Sequence, residues 1–414
     1  MFRRFRLIAL ALPFLAGCFT SETLNSPDLS NNNGLFTRFV AIGGSISAGL
    51  QSGGINDSLQ QRAFPVLVAQ QAGASFFRPS LNLPGCPAPY VNNITQARVG
   101  GPGAPACSLR TTPIPHQVGN LAVPGLTAPD LFTNTGSELS TYERLQTFFL
   151  GGQTPWNAVR NAQPTLLSIE IGSSDVIGAV SSAGNPGNPD SVTTIAAFTT
   201  NFALFADSVE TLNTEVVVFT VPDVTQIPFT SRGSTYWCLK TGRCGIPAAP
   251  FPANYTVANN CAPAALIPGS KGDSILVPWT IGYAALLRAS APPPAPPAPF
   301  NLDCSNDQMV VTPAEYANVR NTTVAINALI RSEAAARGWA VVDAGAIFTQ
   351  LQTQAGGVPL FPLSPSVATG GSVGFGAWFS LDGFHPSSAT HQVVADSMIA
   401  VINRNFTTQI PALP

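Results

Sequence analysis

The sequence predicts an α/β protein built around a mainly parallel sheet, and three observations support this fold class. Short apolar runs of strand length alternate with longer segments whose apolar residues recur every three or four positions. Hydrophobic residues make up 45% of the 414-residue chain, which is enough for a large core. The 36 glycines and 38 prolines indicate many turns and long loops, unlike a helical bundle.

Four strands and four helices can be placed from these patterns. The strand candidates are residues 36–42, 165–171, 215–221 and 339–343. The helix candidates are residues 64–72, 192–212, 312–337 and 387–404. The third helix has the clearest start, because Thr312 can cap it, Pro313 suits its first position, and Glu315 can complete a capping box.

One domain spanning residues 36–410 is predicted, interrupted by an insertion at about 228–311. The insertion breaks the strand–helix alternation and contains four cysteines and the proline-rich stretch 291–297. Repeated prolines exclude a helix or a central strand there, because proline lacks the amide hydrogen that both require. Residues 85–115, rich in glycine and proline, are predicted to be loop.

The first residues predict export and a lipid anchor. Three arginines precede the apolar run 7–15, which is the order of a secretory signal over residues 1–17. Residues 15–18 (LAGC) resemble the lipobox of bacterial lipoproteins, in which the cysteine, here Cys18, carries the lipid. An ordinary signal peptide is the alternative interpretation. Residues 18–35 predict a tether. Phe19, where aspartate would indicate inner-membrane retention, favours the outer membrane, so the expected location is the cell envelope.

The other six cysteines predict disulfide bonds, since an even number in an exported chain is typical of them. Proximity along the chain favours the pairs Cys86–Cys107, Cys238–Cys244 and Cys261–Cys304. A zinc site is the rival interpretation, but no CxxC pair and no nearby histidine supports it. The net charge of −2 provides no electrostatic basis for binding nucleic acid.

Three separate segments carry polar or small side chains near the ends of predicted elements. Ser45 follows the first strand on a glycine turn, residues 172–175 follow the second, and Asp382 and His385 precede the last helix. In parallel α/β sheets, ligands bind beyond the carboxyl ends of the strands. A serine becomes nucleophilic when an imidazole takes its proton, and a carboxylate orients that imidazole. The sequence therefore predicts Ser45 as nucleophile, His385 as base and Asp382 as the partner of His385.

Only three histidines occur in the chain, which narrows the choice of base. His116 lies in a proline-rich loop, and His391 falls within the last helix, where a solvated face is expected. Only His385 has an acid three residues away. A phosphate-binding loop is the rival interpretation of the glycines before Ser45, but the expected lysine is missing.

Together these segments resemble the GDSL/SGNH family of serine hydrolases. Residues 41–49 (AIGGSISAG) are similar to its first block, normally Gly-Asp-Ser, and residues 120–125 (NLAVPG) to its second. Residues 171–175 (IGSSD) resemble the third block, Gly-x-Asn-Asp, and residues 380–386 (SLDGFHP) the fifth, Asp-x-x-His-Pro. The blocks occur in the family's order and extend over most of the chain beyond residue 36.

Two positions depart from the family pattern. Gly44 replaces the aspartate of the first block, a residue that mainly shapes the turn. Ser174 replaces the asparagine of the third block, whose side chain helps to bind the oxyanion, and losing one such donor costs roughly 10²–10³ in rate. A serine hydroxyl is shorter but can still donate one hydrogen bond. Asp175 is expected to be structural, capping the segment that follows.

The resemblance implies a three-layer αβα sandwich and two-step acyl transfer from an ester, without a metal or cofactor. In that mechanism Ser45 attacks the carbonyl, and the N–H groups of Ser45 and Gly125, with Ser174 as a third donor, hold the oxyanion. Short- or medium-chain acyl esters or lipid esters are the expected substrates, and polysaccharide deacetylation is the alternative. The rival from another class, motivated by Ser174, is a surface lipoprotein that has lost activity and serves binding.

Overall fold

The computed structural model describes residues 34–110, 118–182, 184–290, 299–365 and 370–414. The signal peptide, Cys18 and most of the expected tether lie outside these ranges, as do His116 and the stretch 291–297. The lipid anchor and the envelope location therefore stay predictions.

Within the described ranges, ten strands form one four-stranded sheet and three two-stranded sheets. In chain order they are β1 Phe39–Gly43, β2 Tyr90–Asn92, β3 Ala97–Arg98, β4 Leu166–Glu170, β5 Glu215–Phe219, β6 Thr230–Arg232, β7 Tyr255–Val257, β8 Leu276–Pro278, β9 Phe300–Leu302 and β10 Ala340–Val342. The central sheet has the order β1-β4-β5-β10, and each of its neighbouring pairs is parallel. The predicted α/β fold with a mainly parallel sheet is confirmed.

The α-helices connect and cover these strands. In chain order they are α1 Ser45–Ala48, α2 Asp57–Gln60, α3 Phe64–Gln71, α4 Asp130–Thr133, α5 Thr141–Leu150, α6 Pro155–Ala162, α7 Ser173–Ser181, α8 Ile195–Glu210, α9 Gly233–Thr241, α10 Gly282–Ala289, α11 Pro313–Arg337, α12 Ala344–Thr353 and α13 Ser388–Phe406. The capping box of Thr312 and Glu315 is present at the start of α11, and Gly338 ends that helix with φ of 68°.

Both faces of the central sheet are buried, which its short apolar strands require. Alternate residues of β5 point to opposite faces: Val216 and Val218 pack in one core cluster, and Val217 and Phe219 in the other. Helices α8 and α11 contribute to the first cluster, and α3, α12 and α13 to the second. The sheet is therefore the middle layer of an αβα sandwich.

One described stretch, Pro189–Glu210, is long and apolar enough to cross a bilayer. It contains α8, whose Phe198, Phe202 and Phe205 are fully buried in the core cluster. These three side chains therefore form part of the core.

Two predicted segments differ from the structure. Residues Leu35–Arg38 form a 3₁₀ turn, so β1 begins only at Phe39. The backbone N–H of Arg38 donates to the Thr165 hydroxyl and its carbonyl accepts from Thr165 N–H, which turns the chain into the sheet at this point. Within the predicted loop 85–115, β2 and β3 form a short antiparallel hairpin.

Residues 228–311, the predicted insertion, contain two small sheets, with β6 antiparallel to β8 and β7 parallel to β9. Two disulfides, Cys238–Cys244 and Cys261–Cys304, lie in this part of the chain, and Cys86–Cys107 lies in the earlier loop region. The predicted pairing of all six cysteines is confirmed.

Candidate active site

Ser45, His385 and Asp382 form a continuous chain of hydrogen bonds at the carboxyl edge of the sheet. Ser45 Oγ lies 2.8 Å from His385 Nε2, and His385 Nδ1 lies 2.8 Å from Asp382 Oδ2. Ser45 follows β1 directly, whereas the other two residues belong to the loop before α13. Because the carboxylate accepts from Nδ1–H, Nε2 is left free to accept the serine proton.

Asp382 is buried and has hydrogen bonds to both carboxylate oxygens. Oδ2 also accepts the N–H of Gly53 at 2.6 Å, and Oδ1 accepts from the Ser380 hydroxyl and from the N–H groups of Phe384 and His385. Burial alone would raise the pKa of Asp382, but the attraction of His385 and these hydrogen bonds outweigh it and hold the pKa below its usual value. The carboxylate therefore stays ionised and faces the imidazole.

The turn that carries Ser45 is held from the neighbouring strand by Glu170. Oε2 of Glu170 accepts from the N–H groups of Gly44 and Ser47 and from the Ser47 hydroxyl, at 3.2, 3.4 and 3.2 Å. Oε1 accepts from the Ser173 hydroxyl at 2.9 Å. Burial raises the pKa of Glu170, although these hydrogen bonds oppose the shift. Sequence reasoning missed this residue, whose signal was a single acid in the otherwise uncharged strand 165–171 (TLLSIEI).

The segment that leads to Gly125 runs along β1 towards the serine turn. The N–H of Leu121 donates to the Ala41 carbonyl at 2.8 Å, and the N–H of Val123 donates to the Gly43 carbonyl at 2.9 Å. Val123 and Gly43 are in contact on parallel segments, and Gly125 and Ser45 each come two residues later on their own segment. Gly125 has φ of 85°, in the left-handed region that favours glycine.

The two departures from the family pattern, Gly44 and Ser174, are in contact. A β-carbon added at Gly44 would lie 3.0 Å from the Ser174 hydroxyl oxygen and 3.8 Å from Glu170 Oε2. Ser174 therefore lies next to Gly44, the residue that precedes the nucleophile candidate Ser45. An aspartate at position 44 would require Ser174 to move.

Asp175 is structural, as expected, but its main partner is not the helix that follows. Its carboxylate accepts the N–H of Ala128 at 3.1 and 3.2 Å, and so holds the loop that comes just after Gly125. Burial raises the pKa of Asp175 to about 6, against hydrogen bonds from Thr193 and Ala128 that lower it. The prediction that Asp175 caps the following segment is therefore wrong, because its carboxylate binds the backbone of Ala128 instead.

We expect Asp175→Asn to change how stability depends on pH. The raised pKa of Asp175 means that its favourable contribution is complete below pH 4 and is lost as pH rises through about 6, by up to about 3 kcal/mol. Asparagine keeps an oxygen for Ala128 N–H but does not ionise. Urea unfolding from pH 4 to 7 should show the variant gaining stability relative to the native protein as pH rises. Parallel curves for the two proteins would contradict this expectation.

His391 differs from its prediction, because its side chain is fully buried where a solvated face was expected. Its Nδ1 accepts the N–H of Phe64 at 3.3 Å, and the two rings stack with centroids 6.4 Å apart. Burial is the larger cause, and repulsion from His385 the smaller, of the lowering of the pKa of His391 to about 3. The ring is therefore neutral and serves the packing of α13 on α3.

Two cavities lie near the triad and share Phe384, and Asp382 lines the larger of them. The apolar cavity, of about 100 Å³, is lined by Ile46, Phe384 and Pro386 and by side chains from β5 and α12 such as Phe219, Ile347 and Phe348. The aromatic cleft, of about 530 Å³, is lined by Gly53, Asp382 and Phe384 and by Tyr90, Tyr142 and Trp279. No cluster of three or more metal-ligating side chains occurs in the part of the chain that the structure describes.

No family model and no curated protein matches the sequence. Among solved structures, TesA shares 10% identity with a TM-score of 0.35, covering 88% of this chain and 98% of its own. A catalytic mutant of Axe2, an acetylxylan esterase from Geobacillus stearothermophilus, shares 12% with a TM-score of 0.37, covering 88% and 93%. Phospholipase A1 from Streptomyces albidoflavus shares 13% with a TM-score of 0.30, covering 89% and 98%. Because this likeness is distant, the function proposed below depends on the site itself.

Proposed function

We propose that the protein is a serine hydrolase that cleaves carboxylic esters through an acyl-enzyme. The observation that carries the proposal is the chain of two 2.8 Å hydrogen bonds from Ser45 through His385 to Asp382. Such an arrangement activates a serine for attack on a carbonyl, whatever fold presents it.

In the proposed reaction, His385 Nε2 takes the proton of Ser45 as Oγ attacks the ester carbonyl. Asp382 holds the imidazole in the required tautomer and stabilises its charged form. The backbone N–H groups of Ser45 and Gly125 face the developing oxyanion, with the Ser174 hydroxyl as the third donor in place of asparagine. Water then attacks the acyl-enzyme with His385 again as base, which releases the acid and restores the serine.

The apolar cavity supports a short acyl group as the acid part of the ester. Ile46 comes directly after Ser45, and Phe384 and Pro386 flank His385, so three residues of the lining are chain neighbours of the serine and the histidine. Its volume of about 100 Å³ is well below the roughly 300 Å³ at which sites for drug-sized ligands begin. Apolar side chains contribute most of its lining, and these favour alkyl over polar groups.

The test is labelling by a fluorophosphonate together with hydrolysis of an aryl acetate. The native protein should be labelled at Ser45, as located by peptide mass spectrometry, and should hydrolyse the ester. Ser45→Ala should show neither activity, and heat-denatured native protein should not be labelled. Native protein that is neither labelled nor active would contradict the proposal and favour the rival interpretation of a binding lipoprotein.

A further inference from the structure

A tight turn of residues 51–54, the Gly53 turn, lies against the loop that carries Asp382. Gln51 and Gly54 exchange two backbone hydrogen bonds, at 2.9 and 3.1 Å. The two residues between them have φ of 55° and 62°. Positive φ at both central positions is the geometry of a two-residue hairpin turn, which is a compact unit of fixed shape. The turn can therefore hold a neighbouring group in one place.

Three hydrogen bonds join the Gly53 turn to that loop. The most important is the N–H of Gly53, which donates at 2.6 Å to Asp382 Oδ2, the same oxygen that faces His385 Nδ1. The other two are Ser52 N–H to the Ser380 hydroxyl at 2.8 Å and Leu381 N–H to the Ser52 hydroxyl at 3.2 Å. A displacement of the turn would therefore displace the oxygen that orients the imidazole.

The other side of the Gly53 turn is held by the hairpin of β2 and β3. Nη1 of Arg98 donates to the Gly53 carbonyl at 3.0 Å and also to the Ala88 carbonyl. The guanidinium lies 3.8 Å above the centroid of the Tyr90 ring, and Tyr90 pairs with Arg98 across the hairpin. The N–H of Tyr90 donates to the Ser52 carbonyl at 2.8 Å. Arg98 and Tyr90 thus each bind a carbonyl of the turn.

The Gly53 turn has no room to shift towards this hairpin. A β-carbon added at Gly53 would lie 2.6 Å from a ring carbon of Tyr90. A hydrogen bond from a guanidinium is stronger than one between neutral groups, so Arg98 holds the Gly53 carbonyl firmly. The Cys86–Cys107 disulfide closes the loop that contains the hairpin. The hairpin is therefore a firm support for the turn.

We propose that Arg98 is a positioning residue of the triad, which acts through the Gly53 turn to keep the Asp382 carboxylate in line with His385 Nδ1. The inference depends on the proposed ester hydrolysis and adds to it a residue outside the four family blocks. Arg98 binds the Gly53 carbonyl, and the N–H of the same residue binds the carboxylate, so one residue connects the guanidinium to the triad. A misplacement of about 1 Å in a catalytic group can cost roughly 10²-fold in rate.

The experiment measures aryl acetate hydrolysis together with the rate and the final extent of fluorophosphonate labelling at Ser45. Arg98→Met removes the charge and the donors but keeps a long side chain. It should lower kcat by at least about tenfold and slow labelling by a similar factor, with KM within about twofold of the native value. Labelling should still reach the native final extent. Arg98→Lys keeps donors for the two carbonyls but loses the flat contact with Tyr90, so its kcat should lie within about threefold of native.

The matched control is Arg232→Met. Arg232 also donates to a backbone carbonyl, that of Asp273, and its guanidinium lies 5.8 Å from the centroid of the Tyr316 ring. Its kcat and labelling rate should stay within about twofold of native. Ser52→Ala is a second variant, which leaves Arg98 unchanged and removes the hydroxyl that accepts from the loop. It should lower kcat by at least about threefold.

The outcomes separate this inference from the proposed function. Native kcat and labelling rate in Arg98→Met, or a loss no larger than in Arg232→Met, would overturn the positioning role. A lower final extent of labelling at an unchanged rate would overturn it too, since that result means loss of folded protein alone. If Arg98→Met does not fold, native kcat in Ser52→Ala would be decisive against the inference. Absence of labelling and hydrolysis in the native protein would instead contradict the hydrolase itself.

Discussion

Replacing His385 with alanine should lower kcat for an aryl acetate by roughly 10⁵–10⁶-fold. The reason is that His385 Nε2 is the group within hydrogen-bond reach of the serine hydroxyl, at 2.8 Å, so its removal leaves Ser45 with a proton that nothing takes. The measurement is steady-state hydrolysis with the native protein and the variant at the same pH.

The double variant Ser45→Ala, His385→Ala makes this expectation sharper. Two residues that act as one unit lose their contribution together, so the double variant should be no slower than either single variant. Additive losses would show that the two side chains act independently, which the hydrogen bond between them does not allow. Urea unfolding of each variant checks that the fold is kept.

Replacing Asp382 with asparagine should lower kcat by roughly 10⁴-fold. In the native protein, Asp382 Oδ2 accepts from both His385 Nδ1 and the N–H of Gly53. An asparagine has only one oxygen, so it cannot serve these donors and also those on Oδ1. The free energy of unfolding should fall by about 1–3 kcal/mol, because a buried N–H loses its acceptor. Both quantities can be measured, by aryl acetate hydrolysis and by urea unfolding.

The matched control for Asp382→Asn is Asp343→Asn, the same chemical change just after β10. Asp343 caps α12 through the N–H groups of Gly345 and Ala346, and an asparagine oxygen can do the same. Its kcat should stay within about threefold of the native value. A loss in Asp382→Asn no larger than in this control would mean that Asp382 does not orient the imidazole.

Local patterns were sufficient to predict the main features of the fold. Thr312, Pro313 and Glu315 marked the start of α11 because capping depends on neighbours a few residues apart. The strand candidates were recognised because a parallel sheet buries both of its faces. Ser45 and His385, 340 positions apart, could be brought together in advance only by the rule that sites form beyond the carboxyl ends of parallel strands.

What sequence reasoning missed depends on contacts between distant elements. Nothing near Asp175 in the chain indicates Ala128 as its partner, and nothing near His391 indicates that Phe64 covers it. Residues 36–38 (FTR) read as strand because they lead directly into the apolar run 39–42, yet the bonds to Thr165 form a turn there. In each case a tertiary contact decided what the local pattern left open.

Glu170, which holds the turn that carries Ser45, belongs to β4 and comes more than a hundred residues after Ser45 in the chain. The stretch between β1 and β4 also belongs to the site, because Gly53 donates its N–H to Asp382 and the side chain of Asn120 donates to the carbonyl of Ser47. That same stretch supplies Tyr90 and Tyr142 of the aromatic cleft. Supports of the triad and walls of the cleft beside it are thus drawn from one stretch of chain, and that stretch cannot be exchanged in evolution or by design without disturbing both.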